Sequence, residues 1–223
     1  MSTLSVKVDL RSMFGSVRDQ GRRPTCLAFA VSDLHAAMRK RSVFEELSVE
    51  YAFYRASLRQ GLLRRDSGTA IKPMLEALEF DGQPQESSWP YLQALPIDLG
   101  SYTPPTIDGQ LFRTRGSQLN LTLTDTADRL THGFPLMLGI LPSLQFHTAV
   151  GTSVIVRTSP DPLTGAAHAV IAVGWGEFGN QKAFLLRNSW GPKWGNRGYV
   201  WASEEYLNPR LITAVTMEAQ WKN

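Results

Sequence analysis

The chain has 223 residues, 43% hydrophobic and 10% aromatic, so it can bury a substantial core and reads as one compact globular unit. Its net charge of +3 comes from scattered basic residues, and the one dense cluster, Arg22-Arg23, is too short for a nucleic-acid stripe. Cys26 is the one cysteine, which excludes an intramolecular disulfide and a cysteine-based zinc site.

The segment Met1 to Val8 lacks the apolar stretch of a secretory signal, and no run approaches a membrane span. The expectation is a reducing, cytoplasmic folding compartment. After it, Leu27, Ala30, Val31, Leu34 and Met38 recur at helical spacing, with Pro24 and Thr25 as a start signal and Arg39, Lys40 and Arg41 suiting the C-terminal dipole. Ser48 can cap a second helix carrying Ala52, Phe53 and Leu58, which Gly61 would stop. A third is expected from about Thr69 to Asp81-Gly82.

Tyr102-Thr103-Pro104-Pro105 then separates this half from one rich in short strands. Expected strands are Gln118 to Leu123, Leu136 to Leu141, Ser153 to Arg157, His168 to Trp175, Ala183 to Asn188 and Gly198 to Ala202, with a short helix near Asp125 to Leu130. A helical lobe followed by a β lobe places the expected site in an interlobe cleft.

Cys26 lies just inside a helix start, where free N–H groups and the dipole favour thiolate over thiol. Taken alone it reads as a buried, inert cysteine. Upstream, the Gly-containing loop from Gln20 to Thr25 can fold the Gln20 amide back beside the sulfur, where it and the Cys26 N–H would stabilise an oxyanion. Taken alone, Gln20 is an ordinary loop residue.

His168 heads a strongly apolar strand, and Asn188 follows after a hairpin through Glu177 to Gln181. Pairing of the two strands would bring the Asn188 amide oxygen to the imidazole, fix its tautomer and present the other nitrogen to Cys26. Without that context His168 reads as a satisfied core histidine. His35, His132 and His147 read as structural or solvated, no spacing matches a metal-binding helix motif, and Glu45-Glu46 and Glu204-Glu205 read as solvated surface.

With these residues in place, the chain resembles papain and the cathepsins. The stretch Asn188-Ser189-Trp190-Gly191-Pro192-Lys193-Trp194-Gly195-Asn196-Arg197-Gly198-Tyr199 is similar to that family's asparagine motif almost position for position. Similarity also covers Val8-Asp9-Leu10-Arg11, Gln20 through Ala30, Leu47-Ser48, Trp89-Pro90-Tyr91 and the His168 strand. The resemblance implies an α+β papain-like two-lobed fold in one catalytic domain, 1–223. A helical N-terminal lobe would take about residues 12–105, and an antiparallel β-barrel-like C-terminal lobe about 106–223. It casts Gln20 and the Cys26 amide as the oxyanion hole, Cys26 as nucleophile, His168 as its ion-pair partner and Asn188 as orienter, with Trp190 covering the His168–Asn188 bond and Trp194 packing the same wall.

Departures from the family pattern are specific. Arg23, Pro24 and Thr25 precede Cys26 where members usually carry a further cysteine, and Leu27 stands in place of an aromatic. The lost cysteine removes a disulfide and fits a reducing compartment. Asp66-Ser67-Gly68-Thr69 replaces the double glycine that lines the cleft, leaving Gly68 as the carry-over, with Thr69, Ala70 and Ala169 near the pocket for the second residue before the scissile bond. The mature-like start within the first ten or so residues carries an expectation that latency is solved by a separate inhibitor or immunity protein. The chain would then be an effector or toxin-type protease, delivered to another cell or exported without a classical signal peptide.

The activity the resemblance implies is cysteine endopeptidase chemistry through a thioester acyl-enzyme on an extended protein or peptide substrate, needing no metal or organic cofactor and no nucleic-acid or membrane partner. Two other readings stay open. In one the same thiol serves amide hydrolysis or acyl transfer on a special linkage; in the other the cleft is retained in a catalytically silent binding module, against which the intact Gln20, Cys26, His168 and Asn188 set argues.

Overall fold

A computed structural model describes residues 3–39, 44–61, 67–158, 163 and 165–219. In chain order the helices and strands are β1 (Leu4–Asp9), α1 (Cys26–Met38), α2 (Val49–Arg59), α3 (Ile71–Glu76), β2 (Gly116–Leu119), α4 (Leu123–Thr131), β3 (Leu136–Ile140) and α5 (Leu144–His147). They continue as β4 (Val154–Ile155), β5 (His168–Phe178), β6 (Gln181–Arg187), β7 (Tyr199–Ser203), α6 (Glu204–Leu207) and β8 (Leu211–Met217). Two compact units result, one of Gln20–Gln118 with Met217–Asn223, the other of Met1–Asp19 with Leu119–Thr216.

In the helical unit, α1 is buried on every side from Leu27 to Met38, the mark of a core helix rather than a surface one. Two of its polar members, Ser32 and His35, are tied to Gln83. The Gln83 amide accepts from His35 Nδ1 at 2.9 Å and donates to Ser32 Oγ at 2.7 Å and to the Ser48 carbonyl at 3.0 Å. Ser48 caps α2, accepting from the Tyr51 N–H at 3.1 Å while its hydroxyl donates to the Trp89 carbonyl at 2.7 Å. Lys40, Arg41 and Asp66, which the sequence reading used, lie outside the described residues.

The third helix is α-helical only to Glu76. From Ala77 to Asp81 it widens into a π turn, closed by the Gly82 N–H donating to the Ala77 carbonyl at 2.9 Å. The widened turn sets the Asp81 carboxylate against two cations of α2, Arg55 and Arg59, the latter at 2.7 Å. That long-range pairing is invisible to local periodicity. A second cluster, Tyr51, Tyr54, Trp89 and Tyr102, packs beside the helices.

In the β unit the strands run in the order β8-β3-β5-β6-β7-β4, and β1 pairs with the distal half of β5. β3 takes the proximal half of the same edge, from Ile140 opposite His168 to Leu136 opposite Ala172. β5 and β6 form an antiparallel hairpin closed opposite Phe178 and Gln181, with Gly179 at φ +61° in the turn. The core beneath them includes Leu136, Leu138, Ile140, Val170, Ala172, Phe184, Leu186 and Val200.

Two of the expected strands are shorter in the structure. The strand expected to Leu123 stops at Leu119 because Thr122 and Asp125 form a capping box: Thr122 Oγ1 accepts the Asp125 N–H at 3.1 Å, Asp125 Oδ2 accepts the Thr122 N–H at 2.9 Å, and α4 starts at Leu123. Of Ser153 to Arg157 only Val154–Ile155 pairs, parallel to β7. No helix among the described residues is long and apolar enough to cross a membrane, and no group of three metal-ligating side chains is assembled among them.

Candidate active site

In the helical unit, Cys26 is the first residue of α1, half-buried and in no disulfide. Its position puts it among the helix N–H groups that have no intrahelical acceptor. The preceding loop is held from several directions. Gln20 is buried, its Nε2 donating to the Arg23 carbonyl at 2.9 Å, and its own carbonyl accepts the Tyr91 hydroxyl at 2.8 Å. Since Tyr91 spends its proton on Gln20, the 2.8 Å contact between Thr25 Oγ1 and Tyr91 Oη has the threonine donating. Gly68 lies beside this segment, a Cβ built on it standing 3.6 Å from the Pro24 carbonyl, and half-buried Thr69 follows just before α3.

In the β unit, His168 opens β5 and Asn188 follows the last residue of β6, so the hairpin register brings the pair together. His168 Nε2 donates to Asn188 Oδ1 at 2.7 Å. The Ser189 N–H donates to that same oxygen at 2.8 Å, which fixes the amide orientation, makes Nε2 the protonated nitrogen of neutral His168 and leaves Nδ1 as its lone-pair nitrogen. Ala169, the next residue of β5, is buried.

Aromatic rings enclose the histidine. The Trp190 ring lies 4.6 Å from that of His168, and Phe146 meets His168 at 6.2 Å and Trp194 at 5.0 Å. Trp194 Nε1 donates to the carbonyls of Phe146 and His147 at 3.2 and 3.3 Å, tying the shell to α5. Burial lowers the His168 pKa to about 4; the Asn188 oxygen pulls it back up and the nearby charge of a protonated His147 would push it further down.

Glycines set the turn that delivers Asn188. Gly198, at φ +86°, accepts the Asn188 N–H at 3.0 Å, and a Cβ there would stand 2.4 Å from the Val17 side chain. Gly191, at φ +72°, lets the chain pass the Asp19 carboxylate at a distance of 2.9 Å from a built Cβ.

Two sets of residues near these groups were not singled out from sequence. His147, read as structural or solvated, stacks on Trp190 at 4.7 Å and 23°. Arg23, read only as part of a short basic cluster, is 2% exposed and pairs with Glu50 at 2.6 Å. The available signal for Glu50 was a carboxylate on a helix face otherwise made of Val49, Ala52 and Phe53.

The family model described as papain family cysteine protease matches residues 128–217, which include His168 and Asn188. Xylellain, a cysteine protease from Xylella fastidiosa, has a TM-score of 0.79 over 97% of this chain and 87% of that one, with 26% identity. Cathepsin K of Gallus gallus is 28% identical over 193 residues, 82% of this chain and 54% of its own length. The chain is similar to papain-family cysteine proteases over most of its length. An uncharacterized peptidase C1-like protein of Acanthamoeba polyphaga mimivirus is 26% identical over 85% of this chain and 64% of its own length. The chain thus spans less than two thirds of these curated relatives. Its α+β fold is the papain-like one.

Proposed function

We propose that the chain is a cysteine endopeptidase. The observation that carries this reading is the 2.7 Å bond from His168 to Asn188 beneath Trp190, in a chain that is similar to papain-family proteases and whose one cysteine opens a helix. A thiolate at Cys26 attacks the scissile carbonyl, forming the S–C bond and placing negative charge on the carbonyl oxygen, which the Gln20 amide and the Cys26 N–H stabilise. The C–N bond then breaks as imidazolium His168 protonates the leaving amine. Neutral His168 next takes a proton from water as it attacks the thioester, and the acid leaves with regeneration of the thiolate–imidazolium pair. Asn188 holds the ring throughout by accepting from Nε2.

Incubation with a peptide blocked at both termini, followed by mass spectrometry of the products, tests the reading. Internal cleavage that disappears in Cys26→Ala supports it. Deamidated or transferred products without backbone cleavage would replace it with amidase or acyl-transfer chemistry at the same thiol.

A further inference from the structure

We propose that Arg23 is a positioning residue for the oxyanion donor: its buried ion pair with Glu50 fixes the main-chain carbonyl that orients the Gln20 carboxamide. The proposal rests on the peptidase reading above for the role of Gln20, and on the helical unit alone for its geometry.

The pair is fully desolvated. Arg23 Nη1 donates to Glu50 Oε2 at 2.6 Å and to the Leu92 carbonyl at 2.7 Å, and the guanidinium sits 5.0 Å from the Phe53 ring and 5.1 Å from that of Tyr91. Glu50 in turn accepts the Leu92 N–H at 3.0 Å on Oε2 and the Tyr102 hydroxyl at 2.5 Å on Oε1. An apolar replacement of such a pair is often no less stable, so burial of two charges here is poorly explained by stability alone. Geometric specificity explains it better: charges without water tolerate little displacement, and these tie a loop residue to the first turn of α2 and to the backbone at Leu92.

The main chain of the same residue faces the site. The Arg23 carbonyl accepts Gln20 Nε2 at 2.9 Å and the Thr25 N–H at 2.8 Å. That bond directs one N–H of the Gln20 amide at Arg23 and so sets the direction of the other, which the peptidase reading assigns to the oxyanion. A shift of the Arg23 backbone would turn that amide and disturb the residue preceding Cys26. In this chain an ion pair anchors the loop before Cys26.

The test combines Arg23→Met/Glu50→Gln, which removes both charges without stranding either, with Gln20→Ala. In the folded double variant, kcat for a peptide amide falls by about 10²-fold or more, the range for a lost oxyanion donor. KM and the rate of Cys26 alkylation by iodoacetamide, which develops no oxyanion, stay within about twofold. Adding Gln20→Ala costs less than about threefold more, because the donor is already misplaced. Arg23→Lys keeps the charge and the fold and gives a smaller kcat loss with the same non-additivity.

The Gln20 side-chain amide signals, assigned by their loss in Gln20→Ala, are slow to exchange in the native protein and fast in either Arg23 variant. Native kcat in a folded double variant, additive losses with Gln20→Ala, or equal falls in kcat and alkylation would overturn the proposal, as would unchanged amide exchange. Failure of the peptidase reading looks different: the native protein does not cleave peptides, while the amide-exchange measurement still decides whether Arg23 orients Gln20.

Discussion

One oxygen, Oδ1 of Asn188, accepts both His168 Nε2 at 2.7 Å and the Ser189 N–H at 2.8 Å. The backbone contact holds the amide so that the ring contact follows, and the imidazole has one tautomer to adopt when neutral. Asn188→Ala removes the acceptor and leaves the ring to rotate. A kcat loss of about 10²-fold or more with little change in KM is expected, within the range for a general acid/base. Steady-state kinetics on one fluorogenic peptide check it, and full activity in the variant would remove Asn188 from the account.

Trp190 is expected to act through solvation. Its ring covers His168 at 4.6 Å, and burial is the main cause of the lowered His168 pKa, near 4. In Trp190→Ala, with Cys26→Ala as background so that no thiolate contributes, ring signals of His168 followed by NMR titrate about one unit or more higher. An unchanged midpoint would mean that the tryptophan does not shield the ring.

His35 supplies a pH dependence of stability separate from the chemistry. It is buried in α1 against Gln83, and burial lowers its pKa to about 4 from an ordinary 6.5. Between those values the unfolded chain binds a proton that the folded one refuses, so this stability is full above pH 6.5 and is lost as pH falls towards 4. The loss from pH 7 to 4.5 is on the order of 2–3 kcal/mol for this group. Urea unfolding of His35→Gln at both pH values shows a pH difference smaller by about that amount; the same difference as the native protein contradicts the assignment.

Gly198→Ala tests the turn behind Asn188. A methyl group there meets the Val17 side chain at 2.4 Å on a backbone with φ of +86°. The expected destabilisation is about 1–3 kcal/mol, with a fall in kcat because the Gly198 carbonyl that accepts the Asn188 N–H moves. A native urea midpoint together with native kcat would show that the turn accommodates the methyl group.

Much of this was legible in the sequence because it is local. Helix α1 after Pro24-Thr25, the Ser48 cap, the Gly179 turn and the spacing from His168 to Asn188 each follow from neighbouring residues and strand pairing. Contacts made at long range were hidden. The Arg23–Glu50 pair joins residues 27 positions apart, the π turn at Asp81 answers to cations on α2, and His147 gains its meaning from a tryptophan 43 positions later. The sequence shows charges at Arg23 and Asp81; only packing decides whether water or a partner receives them.

The most direct test of the account is the pH dependence of Cys26 alkylation by a neutral haloacetamide, in native protein and in His168→Ala. Cys26 is the one cysteine, so a single mass adduct reports it without ambiguity. A thiolate held by imidazolium reacts at mildly acidic pH, and its loss in His168→Ala moves reactivity into the alkaline range where an ordinary thiol ionises. Identical profiles for the two proteins would contradict the central claim that these two side chains work as a pair.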